Sequence, residues 1–195
     1  AEEAHARGRD VLLHLPLQAA TEQGGREPAE IHLDMSRERL GNVLGQALEA
    51  VPHAIGINSH RGSLLTRHPG HMQWLMEEIR GHDRLFFVDS FTHHDSVALQ
   101  VAKENGIPAM RRDVFLDPDA SPETIAREFE RMKRLARQRG QVVAIGHPYP
   151  ATLELLEREL PRLADEGIEL VPISVLLSLP EGGGERIEPV RHSAL

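Results

Sequence analysis

Three histidines stand where short apolar runs stop. His14 follows the run at 10–13, His60 follows the run at 54–57 by way of Asn58 and Ser59, and His147 follows the run at 142–146. Two further runs end alike: 85–88 on Asp89 and Ser90, and 108–110 on Arg111, Arg112 and Asp113. A polar residue after a strand usually opens a solvated loop, so no one of these positions carries weight alone. Together they bring imidazoles, carboxylates and guanidinium groups to one set of run ends. Neutral imidazole suits zinc and other borderline divalent metals. Two histidines with one carboxylate and an open position form a common hydrolytic metal site, in which the metal lowers the pKa of water and polarises a carbonyl.

The stretch VVAIGHPYP, residues 142–150, shows how such a histidine is fixed. Gly146 lets the backbone pass close to a neighbour or ligand. Pro148 biases His147 toward extended geometry, and Pro150 is placed to start a helix. An imidazole held this way suits a general acid, which must lie within hydrogen-bond reach of its leaving group.

The elements that must position these groups read as alternating strands and helices. Strands are expected at 10–13, 54–57, 85–88, 108–110, 142–145 and 169–171, all short apolar runs of the kind buried on both faces. Helices are expected at 1–7, at 36–50 with Ser36 as N-cap, and at 69–80 with a proline in the first turn. Three more are expected at 95–105 before Gly106, at 121–139 before Gly140, and at 151–165 before Gly167. This order implies a parallel α/β fold, a barrel or a doubly wound sheet, with sites at the C-terminal ends of the strands. Residues 1–179 read as a single domain and 180–195, with Gly182-Gly183-Gly184, as a flexible tail. Residues 23–28 read as a loop.

Bulk properties exclude several functions. The chain has 195 residues and a net charge of -8, with no basic footprint for nucleic acid. Aromatic residues make up 4%, too few and too scattered for a base-stacking surface. No apolar run approaches the roughly 18 residues that cross a membrane. The absence of cysteine rules out disulfides and thiolate zinc sites. Phosphate-loop, dinucleotide, serine-elbow and HEXXH motifs are missing. Of the remaining histidines, His5, His32, His53, His68, His71, His82 and His192 are expected at the surface. His93-His94 opens a helix near Asp89, where a solvated terminus is the first reading and the mouth of the site the second.

Five segments taken together resemble the divergent polysaccharide deacetylase family: VLLHLPL (11–17), AIGINSHRGS (54–63), FFVDSFT (86–92), PAMRRDVFLD (108–117) and AIGHPYPAT (144–152). RRDVFLD and IGHPYP are the specific ones. The resemblance implies a distorted (β/α) barrel related to esterases that remove acetyl groups from polysaccharides. It further implies a divalent metal, zinc first, held by His14 and His60 with an aspartate, and His147 as the acid. By the same carry-over Asp89 and Arg111 join the catalytic surroundings, and Asn58, Ser90, Arg112 and Asp113 contact an acetylated polysaccharide or oligosaccharide. Family members are typically bacterial and exported to the periplasm or envelope.

The family opens on a strand with an Asp-Asp pair that supplies the metal aspartate and the base. This sequence has neither that strand nor the second βα unit that follows it and starts inside what reads as the helix before VLLHLPL, so an N-terminally incomplete barrel is expected. Asp10, at the start of its run, is no substitute. Arg61 stands where the family has methionine and Phe91 where it has arginine, the latter removing a charge from the mouth of the site. The leading expectation is a metal-dependent carbohydrate deacetylase. The alternatives are a non-catalytic glycan-binding or envelope-associated module on the same fold and, further off, a metal phosphoesterase. Oligomeric state stays open.

Overall fold

Burial alternates along the first strand and gives each of its faces a different job. In β1 (Val11–Leu17) the odd-numbered residues Val11, Leu13, Leu15 and Leu17 are buried, and Leu12, His14 and Pro16 lie on the opposite face. Successive strand side chains point to opposite faces, so one face of β1 enters a helix-covered core and the other lines a cavity. The computed structural model that shows this describes residues 1–21, 25, 27–82 and 84–179. The tail expected at 180–195, part of the loop expected at 23–28, and His192 lie outside the described residues.

A short helix, α1 (Glu2–Ala6), precedes β1. Next comes α2 (Arg37–Ala50), where Ser36 caps the helix by accepting from Arg39 N at 3.2 Å, as its residue type predicts. α2 buries Leu40, Leu44 and Ala47, the spacing of one helical face. β2 (Ala54–Arg61), α3 (Pro69–Gly81), β3 (Phe86–Asp89), α4 (Ala98–Glu104) and β4 (Ala109–Arg111) follow. The four strands form one parallel sheet in the order β1-β2-β3-β4. A second parallel sheet pairs β5 (Val114–Phe115) with β6 (Ala144–Ile145). The long helix α5 (Pro122–Arg139) connects these two strands and ends on Gly140 in the left-handed conformation. α6 (Pro150–Glu159) and α7 (Ile173–Ser178) complete the described chain.

Each sheet has its own apolar cluster. Leu13, Leu15, Ile57 and Phe87 pack with α2, α3 and α4, whereas Val114 and Leu116 pack with Ile125 and Phe129 of α5 and Leu155 of α6. The cavity lies between the two sheets.

Several expected boundaries move. β1 and β2 run on through Leu17 and Arg61, because their polar residues face the cavity without leaving the ladder. β5 and α7 were not expected. The strand expected at 169–171 is not one: no ladder partner is present among the described residues, and Leu170 is 68% exposed. α4 starts at Ala98 rather than Asp95, and the helix expected to reach 165 gives way to tighter turns after Glu159. His32, expected at the surface, is buried. Ile31 bridges Leu17 through Ile31 N–Pro16 O and Gln18 N–Ile31 O, each 2.9 Å, and that pairing draws Glu30 and His32 inward. His32 Nε2 lies 2.9 Å from Glu30 Oε2, out of line for a hydrogen bond.

Candidate active site

Strand register brings the first histidines together. His14 pairs with Asn58, and Pro16 with His60, across the parallel β1–β2 ladder. The rings of His14 and His60 lie 4.6 Å apart, centroid to centroid. His14 lines the cavity, exposed to solvent on that side and partly desolvated by the surrounding protein. That partial burial is the main reason its pKa falls below the ordinary 6.5, with His60 and then His147 pushing it the same way and a hydrogen bond to Asn58 opposing. A neutral, lone-pair-bearing imidazole is what a metal requires.

Asn58 is tied into the sheet by Nδ2, which donates to Val88 O and Ser90 Oγ, both at 2.9 Å. Ser90 N in turn donates to Ser59 Oγ at 2.9 Å. The cavity these residues line holds about 480 Å³, and its far wall comes from the second sheet: Phe115, Gly146 and His147.

His147 is the most firmly placed residue of the site. Asp117, whose side chain has no exposed surface, accepts from His147 N at 2.6 Å and from Thr152 Oγ1 at 2.8 Å. Its other oxygen lies 3.0 Å from His147 Nδ1. A carboxylate only accepts, so Nδ1 carries the proton and Nε2 is the nitrogen left to exchange one. The backbone makes room for this pair, since a Cβ on Gly146 would stand 3.3 Å from Asp117 Oδ2. As the proline pattern predicts, α6 begins at Pro150. Phe115 packs edge-on to the His147 ring at 5.4 Å, and the Tyr149 ring lies 5.2 Å from it.

The remaining expected residues divide. Arg112 lines the cavity, stacks over Phe115 at 5.0 Å, and donates from Nε to Ser90 O and from Nη2 to Phe91 O. Burial pulls its pKa below the usual arginine range, against the attraction of Asp89 and Asp113. Asp89 is buried and turned to the backbone instead, accepting from Phe91 N at 2.8 Å and Ser96 Oγ at 2.7 Å. Asp113 binds Arg139 and Val143 N, and Arg111 stacks on Phe91 at 4.5 Å, beside a separate hollow of about 300 Å³ that both residues line. The structure therefore gathers His14, Asn58, His60, Ser90, Arg112 and His147 around one cavity and leaves Asp89, Arg111 and Asp113 outside its wall. Asp10 sits at the opposite end of β1, accepting from Ser174 N at 2.9 Å.

Two carboxylates escaped the reading of the sequence. Asp117 ends the RRDVFLD segment, but with β5 unrecognised it did not register as a strand-end residue. Glu27 lies in the segment after β1 and brings Oε1 to 3.2 Å from His60 Nε2 and 3.4 Å from Arg61 Nη1. Nothing in its local sequence marks it.

The sequence pattern of the family described as divergent polysaccharide deacetylase matches residues 1–177. The chain belongs to that family. It is 35% identical over 181 residues to the uncharacterized protein YibQ of Escherichia coli K12, covering 93% of this chain and 56% of YibQ. It is 37% identical over 174 residues to an uncharacterized protein of Haemophilus influenzae, covering 87% of this chain and 60% of that one. The chain thus spans a little over half the length of these relatives. Its fold is shared with the crystal structure of the uncharacterized protein ATU2773 of Agrobacterium tumefaciens C58. The TM-score is 0.85 at 22% identity, over 90% of this chain and 71% of that one. The parallel α/β architecture expected from the sequence is thus the one this chain adopts.

Proposed function

We propose that this chain is the hydrolase portion of a carbohydrate deacetylase, in which His147 serves as the proton donor to the leaving amine or alcohol of an acetylated glycan. The observation that carries this reading is the buried Asp117 clamp on His147, facing His14 and His60 across one cavity. A histidine fixed by a buried carboxylate through Nδ1 and presenting Nε2 is built to move a proton.

His14 and His60 fit a divalent cation as a pair: both are imidazoles on one cavity wall, and His14 is held toward its neutral form. When bound, such a cation would polarise the acetyl carbonyl and lower the pKa of water. Arg112, fixed by two backbone carbonyls, and Asn58 are placed to orient the glycan. The periplasmic or envelope location typical of the family belongs to the same proposal.

The test is acetate release from N- and O-acetylated glycans by the zinc-loaded protein. His147→Ala is expected to lower kcat by about 100-fold or more, the usual contribution of a positioned acid. Asp117→Asn is expected to lower kcat with KM nearly unchanged and to move the pH profile, since it loosens the proton donor without touching substrate. Acetate release at wild-type rates in His147→Ala would end the proposal.

One observation favours a glycan-binding module instead. Among the described residues, no carboxylate joins His14 and His60 in a group whose donor atoms all lie within 4.8 Å of one another. That reading expects saccharide binding to survive His147→Ala, with no acetate released by either protein.

A further inference from the structure

We propose that His93, His94 and Asp95, on the loop between β3 and α4, form a second divalent-cation site, separate from His14 and His60 and of the zinc, nickel or copper(II) class. Among the described residues, these are the three whose donor atoms do all lie within 4.8 Å of one another. His94 Nε2 is 3.2 Å from Asp95 Oδ1, and His93 Nδ1 is 3.7 Å from Asp95 Oδ2. The imidazole rings stack at 4.5 Å with 24° between their planes, which keeps the two side chains next to one another. Two imidazole nitrogens and one carboxylate oxygen suit borderline metals better than calcium or magnesium, which take oxygen sets. Water can complete a tetrahedral shell.

The loop is held at both ends, which lowers the ordering cost of binding. On the near side Thr92 Oγ1 donates to Arg61 O at 2.6 Å. On the far side Ser96 Oγ donates to Asp89 Oδ2 at 2.7 Å and Val97 N to Thr66 O at 2.9 Å. Within the loop Ser96 N donates to His93 O at 3.1 Å, and Asp95 N to His93 Nδ1 at 3.1 Å. That last bond fixes the tautomer: Nδ1 is the bare nitrogen, and its lone pair is the one a metal would take in place of the Asp95 N–H. The His94 side chain is 82% exposed and that of Asp95 61%, so a cation reaches them from solvent without opening the fold. Thr92, one residue before His93, lines the main cavity, so a cation here stiffens the rim of the active-site mouth.

This site does not depend on the deacetylase reading, and zinc alone tests it. Calorimetric titration would compare the wild type, His14→Ala/His60→Ala, and His94→Ala/Asp95→Asn. The strand double variant is expected to keep one zinc of micromolar affinity. The loop variant is expected to lose that zinc or bind it more than about 100-fold more weakly, beyond the roughly 10–100-fold that an outer-shell change costs, with an unchanged urea midpoint. Zinc should also shift the ¹⁵N resonance of His93 Nδ1. Zinc that disappears with the strand pair and is untouched by the loop variant would overturn the loop site and leave the active-site metal standing. Zinc that does the reverse would support the loop site and count against the metal at His14 and His60.

Discussion

At the scale of single residues, His14 is where charge, burial and function meet. Its pKa lies below 6.5 because protein walls and two further histidines disfavour the imidazolium. The sign of the stability effect follows from linkage. Below 6.5 the unfolded chain takes up a proton at this position that the folded chain does not, so stability falls with pH until the folded value is reached. His14→Gln removes that difference. Urea midpoints measured across the acid range should therefore drop more steeply for the wild type than for His14→Gln, and parallel curves would show that His14 carries no such cost. The same depressed pKa leaves the His14 lone pair available for metal further into the acid range than an exposed histidine would. At this scale the sequence showed the residue types that line the cavity. It did not show that Asp89 and Asp113 spend their oxygens on backbone N–H groups, the Ser96 hydroxyl and Arg139, because such partners come from the fold. Asp117 went unseen for the same kind of reason: its partner His147 lies 30 residues further along the chain.

At the scale of elements, the starts of β1 to β4 were legible and the ends of β1 and β2 were not. An apolar run marks where a ladder begins, but β1 and β2 continue through His14, Asn58 and His60, since one face of each strand meets a polar cavity. The cap at Ser36, the helix start at Pro150 and the stop at Gly140 were more readable, because these residues act on their immediate neighbours. The strand expected at 169–171 shows the limit, for a strand exists only with a partner. Pairing also explains a glycine. Gly56 lies opposite Phe86 in register, and a Cβ there would come within 2.5 Å of the Phe86 ring. Phe86 is buried and has little room to move. Gly56→Ala is thus an overpacking change two residues upstream of Asn58, expected to cost about 1–3 kcal/mol in urea unfolding. Restoration by Gly56→Ala/Phe86→Leu would tie the loss to this contact, whereas an equal loss in the double variant would point to β2 itself.

At the scale of the whole molecule, the site spans two separately packed halves. His14, Asn58 and His60 rest on the cluster built by β1 to β4 with α2, α3 and α4, and Asp117, His147 and Thr152 rest on the cluster built by β5, β6, α5 and α6. Arg112 crosses the junction, reaching back to Ser90 and Phe91. A cavity placed between two cores is sensitive to how tightly those cores are coupled. The chain carries its own probe of this. Its one tryptophan, Trp74, packs against the first cluster, while α5 and α6 supply much of the helix in the second. Tryptophan fluorescence therefore follows the first half, and far-ultraviolet circular dichroism follows both. If the halves separate on unfolding, the two urea transitions will not coincide, which is the usual sign that two-state behaviour fails. A cation held by His14 and His60 binds only the folded first half, and should raise the fluorescence midpoint more than the dichroism midpoint by mass action. Use of the His94→Ala/Asp95→Asn variant keeps the loop site out of that comparison. Coincident transitions that zinc moves together would mean that the Arg112 junction welds the halves into one cooperative unit, with the active-site geometry as rigid as either core.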